Sequence, residues 1–63
     1  MKLSELLDVL YGETIIELCI DFVPVYTGTA EYAKDRKYSV RFVKEVYIDI
    51  SGEKLIIHIS GRP

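Results

Sequence analysis

Three stretches of this chain place an apolar residue at every second position, a spacing that turns one face of a β-strand towards a core. In the first, Thr14 to Phe22, the residues Ile16, Leu18, Ile20 and Phe22 share a face, and Glu17, Cys19 and Asp21 share the other. In the second, Val46, Ile48 and Ile50 point inward within Val43 to Ile50. Leu55, Ile57 and Ile59 repeat the pattern after Ser51-Gly52-Glu53. Gly52 is free to take positive φ in so short a turn, so these last two runs predict a β-hairpin. Val25 to Tyr32 reads as one more strand, weakened or bulged at Gly28. Pro24 has no N–H to give to a ladder and marks a strand end or an edge position.

Only the N-terminus has the period of a helix. Leu3, Leu6, Leu7 and Leu10 make one apolar stripe, with Ser4 as the expected N-cap, Glu5 and Asp8 near the positive end of the dipole, and Gly12 as the expected stop. A helix this short does not form alone and must dock on something. The expected architecture is α+β and mainly β, a single domain over residues 1–63. A short N-terminal helix packs on a four- to five-stranded twisted antiparallel sheet or on a small open (SH3-like) barrel.

A chain of 63 residues is only marginally able to stabilise itself by burial. Natural domains of this size add disulfides, a metal or a second subunit. Cys19 is the one cysteine and His58 the one histidine, so an internal disulfide is excluded and a zinc site falls two ligands short. Oligomerisation is the remaining device, and a homo-oligomer is expected. The outward positions of the strands carry Ile15, Cys19, Val43, Tyr47 and Ile56 among Glu17, Glu45, Asp49 and His58. A contiguous apolar cluster there would be an interface, with Ile15, Tyr47 and Ile56 as its residues. In a more fully closed barrel the same residues join the core. No apolar run approaches the roughly 18 residues that span a bilayer. Met1-Lys2-Leu3 followed by Ser4-Glu5 does not read as a secretory signal, so the cytoplasm is the expected compartment.

Catalysis needs a nucleophile with its base, a paired acid and base, or a metal. His58 lies mid-strand between two isoleucines, without a glycine-rich turn or nucleophile nearby in sequence. Cys19 is flanked by Leu18 and Ile20, and Glu17 and Asp21 would raise its pKa rather than activate it. The expectation is a protein that is not an enzyme and takes no cofactor or metal.

The charge pattern is more informative. Residues 1–33 hold one lysine and six carboxylates, net −5, whereas residues 34–63 hold seven cations and four carboxylates, net +3. The change begins at Lys34-Asp35-Arg36-Lys37-Tyr38-Ser39-Val40-Arg41, read as a loop with a helical turn around Tyr38–Phe42. Arginine grips phosphate with a planar fork, and tyrosine offers a ring face to a base. Arg36, Lys37 and Arg41 are therefore candidate phosphate contacts, with Tyr38, Tyr32 and Tyr26 as candidate stacking platforms. The alternative is a solvated basic loop beside ordinary strand tyrosines. Duplex DNA is a poor partner for a chain of net charge −2 without a continuous basic face.

In pattern the chain resembles short helix-plus-sheet proteins encoded by bacteriophages and other bacterial mobile elements. The resemblance rests on the opening helix Leu3–Leu10, the strand Thr14–Leu18, the step Gly28-Thr29-Ala30, and the hairpin of Val46–Ile50 with Leu55–Ile59. The basic segment departs from that group, where acidic and apolar residues are usual. The resemblance implies an accessory role, such as sequestering a nucleotide or short oligonucleotide immune signal, or inhibiting or bridging a host or viral protein.

Overall fold

The computed structural model describes residues 1–61. Its elements run α1 (Leu3–Val9), β1 (Ile15–Ile20), β2 (Val23–Thr29), α2 (Ala30–Ala33), a 3₁₀ turn (Lys37–Val40), β3 (Val43–Ile48) and β4 (Leu55–Ile59). The four strands form one open sheet in the order β2-β1-β4-β3. The domain is thus α+β and mostly strand, as the two periods predict. The sheet is not closed into a barrel. No helix among the described residues is long and apolar enough to cross a membrane.

The sheet is mixed, which corrects the antiparallel expectation. β1–β2 and β3–β4 are antiparallel hairpins, but β1 and β4 lie side by side in parallel, with Leu18 opposite Ile57. Alternation fixes the faces of each strand and local turns fix each hairpin. Nothing in either specifies how two hairpins dock. The segment 30–42, which holds α2 and the 3₁₀ turn, carries the chain from one edge strand to the other.

The core gathers Leu3 and Leu7 of α1, Ile16 and Leu18 of β1, Ala30 and Ala33 of α2, and Ile57 and Ile59 of β4. Leu6 and Leu10 complete the stripe as half-buried neighbours. β3 adds only Val43 to this cluster. Val46 and Ile48 lie on the predicted face but are 40% and 68% exposed, and Ile50 is fully exposed. A helix of seven residues is about 10 Å long, and the helical layer leaves the far strand uncovered.

Several local expectations shift. The N-cap is Lys2, not Ser4, because Leu3 donates its N–H to the Arg41 carbonyl and Lys2 bridges Phe42 in extended conformation. Glu5 then accepts the Lys2 backbone N–H at 2.8 Å. The helix ends at Val9 with Leu10 extended, two residues before Gly12. Tyr32 is helical rather than strand. The Thr29 hydroxyl accepts the Tyr32 N–H at 3.3 Å and caps α2, whose two alanines are small enough to bury completely. Pro24 sits on β2, an edge strand that tolerates the missing donor.

The irregularity of β2 falls at Val25, not Gly28. The register passes from Leu18–Tyr26 to Cys19–Pro24 and leaves Val25 as the extra residue, so Val25 and Tyr26 both pack against the core. Gly28 answers a different need. A Cβ there would lie 2.6 Å from the Tyr26 hydroxyl oxygen and 3.0 Å from Cζ. The ring folds over Gly28 and donates its hydroxyl to the Thr29 carbonyl at 2.9 Å. Gly28→Ala must displace this ring and is expected to cost about 1–3 kcal/mol, read as a lower melting temperature.

Candidate functional site

The basic segment leaves α2, runs through Asp35 and Arg36, and tightens into the 3₁₀ turn. Its backbone is tied down at both ends: Arg36 donates to the Ala33 carbonyl, and Arg41 to the Tyr38 carbonyl. Val25, Asp35, Arg36, Lys37 and Tyr38 line an open groove of about 450 Å³. The bulge at Val25 turns that side chain towards this segment, which no sequence pattern announced.

The aromatic and cationic candidates come together here. The Arg36 guanidinium carbon lies 5.4 Å from the centre of the Tyr26 ring and 5.7 Å from that of Tyr32. Lys37 Nζ is 5.5 Å from the centre of Tyr38, and the Arg41 guanidinium carbon is 5.8 Å from the same ring. Each cation is thus attracted to a ring quadrupole, which holds it without neutralising it. Among the described residues neither Arg36 nor Lys37 forms an ion pair, whereas Lys34 reaches Asp8 and Lys54 reaches Glu17. Arg36 and Lys37 are also exposed.

Arg41 differs in its surroundings. Its Nη1 donates to the Ser60 carbonyl at 3.3 Å, and its Nε is buried without a hydrogen bond among the described residues. This guanidinium braces the segment against the end of β4 and has fewer N–H groups left for a ligand than Arg36. The tyrosines likewise meet their own cations first. A base reaching this groove stacks on an exposed guanidinium or on an uncovered ring face, such as that of Tyr32, which is 66% exposed.

The sheet face opposite the helices holds the other candidates. Ile56 is only 9% exposed, between Glu17 and Tyr47 in the ladder, so it offers a partner little surface. Ile15 and Tyr47 are partly open, at 40% and 43%. His58, expected to face solvent, is buried. The Tyr47 hydroxyl lies 2.9 Å from its Nε2, the Tyr47 ring stacks on it, and Phe22 meets it edge-on at 5.2 Å. Lys54 and Glu17 pair at 2.9 Å, and this contact raises the lysine pKa. Burial, followed by the Glu17 charge, pushes the Cys19 thiol up and keeps it protonated. Among the described residues no three His, Cys, Asp or Glu side chains gather as they would around a metal.

Phe22 escaped the sequence reading, which placed it in the core. It is 84% exposed, and with Asp21 it occupies the left-handed region, φ 65° and 52°. Two such residues are what a type I′ hairpin turn requires, normally as Asn-Gly. A bulky aromatic held there is strained.

No protein-family model, no curated protein and no solved structure matches this chain.

Proposed function

We propose that the protein is a non-enzymatic binder of a small anionic, base-containing ligand, a nucleotide or short oligonucleotide, which it holds without turnover. The observation that carries this reading is the pair of exposed cations, Arg36 and Lys37, without an ion pair among the described residues and held over tyrosine rings at the rim of a groove. Arg36 and Lys37 contact phosphate, Tyr32 and Tyr38 supply ring faces, and Tyr26 and Arg41 hold the platform in place. Sequestration of a signalling nucleotide by a phage or mobile-element protein acting as a homo-oligomer in the host cytoplasm is the setting in which we place this activity. That setting rests on the sequence pattern and on the marginal size of the chain.

Melting curves with nucleoside monophosphates, triphosphates, a cyclic dinucleotide and a trinucleotide test the proposal. A ligand at a hundred times its Kd stabilises the folded state by about 2.7 kcal/mol. In a domain of this size that corresponds to a rise of roughly 10 °C or more. At least one nucleotide is expected to produce it, and inorganic phosphate is not. A flat response to the whole panel contradicts the reading.

A second reading, a module that binds a host or viral protein, is favoured by Phe22. Exposed aromatics held in place by neighbouring rings are characteristic interface anchors. In that case Phe22→Gly relieves the left-handed backbone and leaves the fold intact while abolishing partner capture. Unchanged capture by this variant removes the reading.

A further inference from the structure

We infer that the open edge of β3 pairs antiparallel with the same edge of a second copy, making a closed dimer with a continuous eight-stranded sheet. The inference does not depend on the ligand proposed above.

The two edges of the sheet differ. β2 carries Pro24 and the bulge at Val25, both of which discourage strand addition. The beginning of β3 is already occupied: Leu3 donates to Arg41, Val43 donates to Met1, and Lys2 bridges Phe42. Among the described residues nothing pairs with the outer edge of Glu45 to Ile50, which contains neither proline nor glycine. The Asp49 amide points inward, to the Lys54 carbonyl at 2.9 Å. By strand alternation the backbone groups of Val46 and Ile48 point out to the free edge.

The side chains suit a second copy. A two-fold axis at Ile48 keeps the pairing within the open stretch and sets Ile48 against its counterpart, Val46 against the partner's Ile50, and Tyr47 against the partner's Asp49. The bulge between Val43 and Glu45 turns Lys44 to the same face as Glu45, where both border the hollow beside Phe22 and His58. On the other face, Val46, Ile48 and Ile50, which the helical layer leaves bare, meet the same row from the second copy. One apolar layer then runs between two α1 helices. Because only one edge of each subunit is open, assembly closes at two copies and does not propagate into a fibre.

Sedimentation equilibrium across the micromolar to millimolar range gives the mass, expected at twice the 7.2 kDa of the chain. Ile48→Lys places two lysines face to face across the axis and is expected to return the mass to 7.2 kDa with an unchanged circular dichroism spectrum. Thr27→Lys, on the β2 edge, is expected to leave the dimer intact. As a check that does not rely on breaking the interface, Ile48→Cys is expected to form an intermolecular disulfide under mild oxidation, and Thr27→Cys is not. A wild-type mass of 7.2 kDa throughout overturns the inference. So does a dimer that survives Ile48→Lys, or cross-linking through Thr27→Cys in place of Ile48→Cys.

Discussion

Leu18→Ala is expected to remove roughly half of the folding stability of this chain. Leu18 is completely buried at the centre of the sheet, opposite Tyr26 on one side and Ile57 on the other. Truncating such a leucine removes its transfer free energy and opens a cavity, typically about 2–5 kcal/mol in total. A native domain holds roughly 0.05–0.15 kcal/mol of stability per residue, so a chain of 63 residues has about 3–9 kcal/mol to lose. The lower half of that range is removed by this one change. Val9→Ala, on the exposed side of α1, is expected to shift stability by less than about 0.5 kcal/mol. Urea unfolding followed by circular dichroism distinguishes the two. A Leu18→Ala protein with the same urea midpoint as the parent contradicts the description of the core.

The second large effect concerns Arg36. Arg36→Ala is expected to weaken nucleotide binding by roughly 10- to 100-fold, the loss of one charge-assisted hydrogen bond at about 1.5–3 kcal/mol. Lysine at this position keeps the charge but lacks the planar fork that lies over Tyr26 and Tyr32. Arg36→Lys is therefore expected to recover only part of the affinity. Arg41→Ala acts differently. It releases the Ser60 carbonyl and the Tyr38 ring, so a lower melting temperature without ligand is expected to accompany any loss of binding. A calorimetric titration of the three variants, each with its own melting curve, separates direct contact from bracing.

The parts of this fold visible in the sequence are those set by local periodicity. The leucines of α1 and the alternating runs of β1, β3 and β4 occupy the elements assigned to them, and the Ser51–Glu53 turn places Gly52 at φ 75°. What periodicity lacks is any record of docking. The parallel pairing of β1 with β4 depends on how far the segment 30–42 reaches, and exposure of Val46 and Ile48 depends on where α1 stops. Backbone shape hid the rest. Both bulges, at Val25 and Lys44, flip a side chain relative to simple alternation, and Asp21-Phe22 takes a conformation its residues do not favour. The cation–tyrosine contacts were legible as a set of residue types. Which guanidinium stays exposed and which turns to the Ser60 carbonyl was not.

The sharpest test of the account is nuclear magnetic resonance of the arginine Nε–H groups and tyrosine rings while the best-stabilising nucleotide is titrated in. Saturable shifts of Arg36 Nε–H together with the Tyr32 and Tyr38 rings, and a smaller change at Arg41, are the predicted result. Saturation that moves only resonances of the opposite sheet face, around Phe22, Tyr47 and His58, would place the ligand elsewhere and contradict it.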